Sequence, residues 1–575
     1  MSKINGAQML FKSLEAEGVD TIFGLPGGAV ITLYDALYDS KINHVLMRHE
    51  QAAAHAADGY ARASGKPGVC IATSGPGATN LVTGIATASI DSVPMIAITG
   101  QVATTAIGSD AFQEADILGI TIPVVKHSMQ VRTPEQIAPA VKKAFHIATT
   151  GRPGPVLIDI PADVQKGFGA FEYPDKVEFL GYNPESKTDF SRLDEAVALI
   201  EQAERPLIFA GGGVIRSGAA VKLKEFAEKF QIPVVTSLLG KGAFPESHPS
   251  GLSLGMAGMH GHPVANRAVM AADVILAVGP RFSDRTTGKT SSFASKARII
   301  HIDIDPAEMN KVIGSEIHLV GDANCILNAL LISVDKKTCG CTHRKWIEDL
   351  ELIREKEPLP RTEYKNGIAP WHIIESLREI TGGKTIVTTE VGQHQMWAAM
   401  YYKVEEPRHF LTSGGLGTMG FGFPAAIGAA YTCNSSSCPQ EYVCCLAGDG
   451  SFMMNIQELD TCARYNIPVK VFLFNNTCLG MVRQWQEFFF KKRYSNTLYT
   501  RDPDFVGIAE SMGVKGFATC KPEDVRSTIE EALKVPGPAL VDFRIPQEAL
   551  VLPMVTPGSS NDEILLSLEE LSNHE

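Results

Sequence analysis

Residues 443–476, VCCLAGDGSFMMNIQELDTCARYNIPVKVFLFNN, constrain this chain more than any other stretch. Residues 443–447 are an apolar run of buried-strand length. Gly448-Asp449-Gly450 then makes a tight turn, and residues 453–465 place apolar side chains at helical spacing. Pro468 ends that segment, and residues 469–474 read as a second buried strand. A strand–helix–strand unit implies parallel strands joined by a right-handed crossover. Asp449 and Asn476 then fall at the carboxyl ends of those strands, where open α/β sheets bind ligands. A carboxylate and an amide oxygen are hard ligands suited to Mg²⁺, which keeps coordination positions for phosphate. Gly448 and Gly450 let backbone amides approach a diphosphate closely. Asp-Gly alone is first of all a turn signal, so the argument rests on its spacing from Asn475-Asn476.

At 575 residues the chain is too long for one core and predicts about three domains. A net charge of −12 with no basic run argues against nucleic acid or an anionic membrane as partner. The longest apolar regions are interrupted, as at Asp91 and Pro94, so no membrane span is expected. The first twenty residues read as an amphipathic helix containing acids, unlike a signal or transit peptide, and the protein reads as cytoplasmic. Eleven cysteines are scattered. Cys339, Cys341 and His343 are close in sequence, but they lie in a charged stretch without a second ligand pair and read as linker.

The reading is α/β, with three parallel-sheet domains at residues 1–165, 190–334 and 370–552 and a loose tail at 553–575. In the first domain, strands at 21–23, 45–47, 69–72 and 94–99 alternate with helical patterns, including EQAAAHAADGYARA at 50–63. Residues 165–189 read as a linker. In the second domain, strands at 207–210, 274–278 and 299–302 end in Gly211-Gly212-Gly213, Gly279-Pro280-Arg281 and Asp303-Ile304-Asp305. Such ends suit a nucleotide-binding sheet, although three glycines alone are more readily a turn. Residues 335–367 read as a second linker. SGPG at 74–77 and AGDG at 447–450 both follow apolar strands, a faint sign that the first and third domains share an architecture.

GDG followed by NN at this interval resembles the thiamine-diphosphate signature. The resemblance widens with RHEQAAAHAADGYARASGKPGVCIATSGPGATNL, DAFQEADILGI, GRPGPVLIDIP, GMHG, HIDIDPAEMNK, VGQHQMWAA, GGLGTMGFGFPAA and GMVRQWQ. Across nearly its whole length the chain resembles the catalytic subunits of the acetohydroxyacid synthase (acetolactate synthase) family. That resemblance implies pyrimidine-binding, central FAD-binding and diphosphate-binding domains, with thiamine diphosphate, Mg²⁺ and FAD as cofactors. It implies decarboxylation of pyruvate and transfer of its two-carbon unit to pyruvate or 2-oxobutyrate, in branched-chain amino acid synthesis. It further implies a homodimer or dimer of dimers, with Glu50 and the diphosphate site acting on one cofactor from opposite subunits, and a small regulatory subunit.

Carried over by residue, the resemblance makes Glu50 the acid that activates the cofactor's aminopyrimidine. Asp449, Asn476 and the Cys478 carbonyl become the metal ligands, beside Gly448 and Gly450. Gly392, Gln393 and His394 match the segment along the diphosphate, and Met419 the residue that holds the cofactor bent. Phe112 and Gln113 match the reaction pocket, Arg285 the holder of the acceptor carboxylate, and Trp485 the residue beside its alkyl tail. Arg152, Gly211, Gly212, Gly213, the segment 260–281, Asp303 and Asp322 match FAD-contacting regions. The chain departs from the family pattern at Leu25, Ala162, Ser283, Glu390 and Thr477-Cys478. Ala162 removes a positive charge expected near the substrate channel. Other classes with related parts are a FAD-dependent pyruvate oxidase, a thiamine-diphosphate acetyltransferase and a non-catalytic cofactor-binding regulator.

Overall fold

The computed structural model describes residues 3–177, 179, 181–182, 188–335, 343–433 and 442–567. Its short apolar runs become buried parallel strands in three six-stranded sheets. The first sheet runs, edge to edge, Asn43–Leu46, Thr21–Gly24, Gly68–Ala72, Met95–Gln101, Pro155–Pro161, His127–Gln130. The third runs Phe410–Leu411, Thr385–Thr389, Tyr442–Gly448, Val469–Asn475, Ala539–Arg544, Lys515–Thr519. Counted along the chain, both have the order 2-1-3-4-6-5. The echo between SGPG and AGDG thus reflects one architecture used twice, each motif ending the third strand of its sheet. The central sheet has the order 3-2-1-4-5-6 of dinucleotide-binding folds, with Pro206–Ala210 beside Val274–Val278 at its centre. In each sheet the strand order reverses beside the first strand, which leaves a crevice at the carboxyl ends.

The organising unit is present with altered boundaries. Tyr442–Gly448 and Val469–Asn475 pair in parallel over their length. Asp449-Gly450 does not stay a turn: Asp449–Phe452 is a short helix set directly on the strand end. The long helix expected over 453–465 shrinks to Glu458–Tyr465. Met453 and Met454 are about half exposed rather than core, and Asn455 Nδ2 donates to the Gly420 carbonyl at 2.6 Å. That tertiary tie bends the segment where the apolar spacing suggested continuity.

Other boundaries moved for local reasons. The first helix starts only at Gly6, because Asn5 caps it: its side chain accepts from Gln8 N at 2.8 Å and Gln8 Oε1 accepts from Asn5 N. Lys3–Asn5 instead pairs with Phe168–Ala170, inside the expected 165–189 linker. The 335–367 stretch contains the helix Arg344–Lys356, whose buried Trp346 donates from Nε1 to the Pro206 carbonyl at 3.0 Å. Cys339 and Cys341 lie outside the described residues, and no group of three or more His, Cys, Asp or Glu side chains able to hold a metal occurs among the described ones. The expected loose tail is also corrected. Met554–Val555 pairs with Ile564–Leu565, Val555 N donates to the Met259 carbonyl, and Asn561 Nδ2 to that of Thr286. Burial of Met554, Val555, Ile564 and Leu565 holds this segment on the central domain.

The first and third domains meet where the helix Glu50–Ser64 packs on Gly422–Ala430. A methyl at Gly59 would stand 2.1 Å from the Ala425 carbonyl oxygen, and one at Gly428 would stand 1.8 Å from that of Ala56. The two helices therefore touch backbone to backbone, which only glycine permits at those positions. No helix among the described residues is long and apolar enough to cross a membrane.

Candidate active site

The crevice of the third sheet opens between the ends of Thr385–Thr389 and Tyr442–Gly448. It is lined by Gly392, Gln393, His394, Met419, Gly448, Asp449, Gly450, Asn476 and Cys478, among others. The expected diphosphate and metal residues thus converge although they are far apart in sequence. Asp449 is buried; its Oδ1 accepts from Gly450 N at 2.8 Å while Oδ2 has no partner. Burial, opposed by backbone bonds from Gly450 and Thr477 and aided by Asp542 and Asp502, pushes its carboxyl up to about 7. Asn476 Nδ2 donates to Gln393 Oε1 at 3.1 Å, and Asn476 Oδ1 accepts from Cys478 N at 3.3 Å. Thr477 takes a positive φ of 55°, costly for a β-branched residue, and turns the chain between Asn476 and Cys478. The neighbouring bridge uses Leu479 N and the Thr477 carbonyl and leaves the Cys478 carbonyl out. Burial lifts the Cys478 thiol to about 12, so the thiol is inert and the carbonyl is its useful group.

His394 is buried and held neutral, its value pushed down to about 3 by desolvation, and its Nε2 has no partner. A methyl on Gly448 would meet the His394 ring at 2.7 Å, and one on Gly480 would meet Gln393 Oε1 at 2.0 Å. Two orphaned buried polar atoms, Asp449 Oδ2 and His394 Nε2, therefore face a cradle that glycines keep open. A buried polar atom without a partner costs free energy unless a ligand satisfies it. A hard cation meets that need on Asp449, and an anionic group meets it on His394 once Nε2 carries the ring proton, so the residues present fit a metal–diphosphate pair.

Met419 sits in a segment fixed at both ends. Glu390 accepts from Gly420 N at 2.7 Å and Phe423 N at 3.0 Å. Asp91 accepts from Gly414 N and Gly415 N and pairs with Arg62. Glu390 is fully buried and burial pushes it up to about 7. The sequence marks Glu390 only as a departure from the family pattern and Asp91 only as a break in an apolar region, and it marks neither Gln484 nor Asn80. Gln484 is buried and ties Gln393 to Val551. An amide or carboxylate inside an apolar run is the signal that marks such residues.

Glu50 is the first residue of its helix and is buried, with Oε2 accepting from Asn80 Nδ2 at 3.0 Å. Its Oε1 lies 3.2 Å from where a methyl on Gly77 would stand. Gln113, at φ 61°, presses its backbone on Gly75, and Phe112 is 88 % exposed. None of these three lines the Asp449–Asn476 cleft of the same chain.

A cavity of about 1520 Å³ lies at the central sheet's crevice and runs to the third domain. Gly212, Arg216, His260, Gly279, Arg281, Arg285 and Trp485 line it, and Val391, Gly392, Met481 and Val482 wall both it and the cleft. Arg285 stacks on Trp485, its guanidinium carbon 5.8 Å from the ring centroid, and Trp485 meets Phe489 edge-on. The expected FAD residues divide. Gly211 and Gly213 abut Gly279 and Pro280 behind the wall. Arg152 is bonded to Ser92, Asp305 and Glu308; Asp303, lifted by burial to about 6, accepts from Asp305 N; Asp322 caps the next helix through Cys325 N. None of these five is among the residues lining the cavity.

Comparison with known proteins agrees with this arrangement. Residues 4–120, 193–330 and 390–543 match the N-terminal TPP-binding, central and C-terminal TPP-binding domains of thiamine pyrophosphate enzymes. The chain is 50% identical, over 96% of its length and 94% of the relative's, to a probable acetolactate synthase large subunit of Methanocaldococcus jannaschii. It is 48% identical to an acetolactate synthase of Mycobacterium bovis, covering 98% and 92%. It is 47% identical to an acetolactate synthase large subunit of Corynebacterium glutamicum, covering 98% and 91%.

Proposed function

The chain belongs to the acetolactate synthase large subunits of the thiamine pyrophosphate enzyme family, and we propose how its own residues divide the work. It is a thiamine-diphosphate enzyme that makes acetolactate from pyruvate; 2-oxobutyrate is the second acceptor. When bound, the cofactor supplies the carbanion chemistry that lets a 2-ketoacid lose CO₂ and pass on two carbons. Asp449, Asn476 and the Cys478 carbonyl would hold Mg²⁺, which would supply positive charge to the diphosphate. The Gly392–Gln393 backbone, with His394 donating from a protonated Nε2, would hold the diphosphate oxygens. Met419 shapes the cofactor, and Glu50 holds a proton at the aminopyrimidine ring nitrogen. Arg285 binds the acceptor carboxylate, and Trp485 packs on its alkyl group. The orphaned pair Asp449 Oδ2 and His394 Nε2 at a switch-point crevice carries this reading.

The central cavity takes FAD in a structural role, supported by the 3-2-1-4-5-6 sheet and by Gly212 and Arg281 at its switch point. Glu50 reaches the cleft of a second copy, so a homodimer is the active unit. Its absence from the lining of its own chain's cleft supports this, as do Ile31, Phe112 and Ile122, exposed on the first domain. A small regulatory subunit and a cytoplasmic location complete the proposal. Purified protein with thiamine diphosphate, Mg²⁺, FAD, pyruvate and 2-oxobutyrate, in phosphate buffer under air, is expected to release CO₂ and form 2-acetolactate and 2-aceto-2-hydroxybutyrate. Acetyl phosphate as product, or no CO₂, overturns it in favour of an oxidase or acetyltransferase, or of a regulator.

A further inference from the structure

The helix between the two proposed side-chain metal ligands holds, in the same chain, the turn that ends in Glu50. Glu458 opens that helix and is fully buried. Its two carboxylate oxygens accept from Arg48 N at 3.0 and 3.2 Å, and Thr461 Oγ1 donates to it at 2.6 Å. Thr461 Oγ1 also reaches the Leu46 carbonyl at 3.4 Å, and Tyr465 Oη accepts from Leu46 N at 3.1 Å. Asp460 binds the Arg48 guanidinium. Four residues of a two-turn helix thus clasp residues 46–48, and His49 caps the helix that Glu50 begins. The clasp helix is tied to the site behind it as well, since Asn455 binds Gly420 next to Met419.

We propose that Glu458 is a positioning residue for Glu50: its buried carboxylate fixes the turn at residues 46–49, so the diphosphate domain sets where the first domain's acid points. The reasoning rests on the reading of Glu50 as the activating acid. A carboxylate is suited to the task because it accepts from a main-chain N–H while a hydroxyl donates to its other side. Loss of it leaves the half-buried Arg48 N–H unpaired and the turn free to shift. A displacement of about 1 Å at a catalytic group costs about 10²-fold.

The test uses holoenzyme with thiamine diphosphate and Mg²⁺, following exchange of the cofactor's C2 proton in D₂O, amide exchange at Arg48, and cofactor titration. Glu458→Leu is expected to slow C2 exchange by about 10²-fold, with faster exchange of the Arg48 amide and unchanged cofactor affinity. Glu458→Gln, which keeps one acceptor, is expected to rescue much of this. Thr461→Val perturbs the clasp without removing the carboxylate, and a smaller slowing is expected; it decides the matter if Glu458→Leu does not fold. Glu50→Gln runs alongside. Slow exchange in Glu50→Gln with wild-type exchange in the Glu458 and Thr461 variants overturns the positioning role and leaves the acid intact. Wild-type exchange in Glu50→Gln overturns the acid itself. Lost cofactor affinity with normal C2 exchange at saturation makes Glu458 a support of the diphosphate site and also overturns the proposal.

Discussion

Gly428→Ala puts one methyl into the tightest contact between the first and third domains. The added carbon would stand 1.8 Å from the Ala56 carbonyl oxygen, 2.7 Å from its carbon and 2.8 Å from Tyr60 N. All three are main-chain atoms of the Glu50–Ser64 helix, so no side-chain rotation relieves the clash. A tolerable contact of about 3.4 Å requires the helices to separate by about 1.6 Å, the difference from 1.8 Å. Overpacking a close-packed contact costs about 1–3 kcal/mol, and main chain on the receiving side puts this case at the top of that range. For a domain of this size about 3 kcal/mol lowers the melting temperature by roughly 6–12 °C. Glu50 begins the displaced helix, so turnover measured well below the melting temperature should fall by about 10²-fold, as for a 1 Å misplacement. Gly314→Ala is the control, because nothing lies within 4 Å of its added carbon and its φ is not positive. Differential scanning calorimetry and initial rates on the two variants decide the matter. Equal melting temperatures would refute backbone contact at this crossing, and a large stability loss with full activity would refute its link to Glu50.

Asp449→Ala should weaken Mg²⁺ and thiamine diphosphate binding together and recover part of its activity in excess of both; an unchanged cofactor titration removes Asp449 from the ligand set. Trp485→Leu should keep acetolactate formation while losing most of a preference for 2-oxobutyrate that one methylene limits to roughly 10–200-fold. Loss of the Arg285 stack adds about 0.5–1 kcal/mol at an exposed site. The product ratio with both acceptors in one tube measures this, and an unchanged ratio makes Trp485 a structural anchor. Glu390, raised from 4.5 to about 7, binds its proton more tightly folded than unfolded, so it lowers stability progressively as pH rises from about 4.5 to about 7. Glu390→Gln should flatten that fall by at most about 1.4 kcal/mol per pH unit, read from unfolding at pH 5 and 7.5 with metal and cofactor removed; an unaltered slope shows the carboxyl ionised across the window.

The division between sequence and tertiary structure follows the range of the interactions. Parallel strands buried on both faces are continuous apolar runs, so Tyr442–Gly448, Val274–Val278 and Gly68–Ala72 were legible locally to within a residue or two. At those ends Asp449, set between two glycines, and Asn476 could be located from the residues themselves, whereas the junction before Glu50 has no glycine and its role came only from the family resemblance. Family segments supplied roles for Gly392, His394, Met419, Arg285 and Trp485, which periodicity alone leaves as core or surface. What lay beyond sequence was each consequence of one domain pressing on another. The helix over 453–465 was cut short by Asn455 reaching Gly420, and the supposed tail was held by Met259 and Thr286. Asp91 and Glu390 acquired meaning only when the loop carrying Met419 lay across them. The clasp of Glu458 on Arg48 spans 410 positions of chain, a separation across which no local pattern is constrained. Local propensity acts over a few residues, whereas a buried carboxylate is specified by whichever backbone N–H the fold brings to it, and here the packing of the first and third domains made that choice.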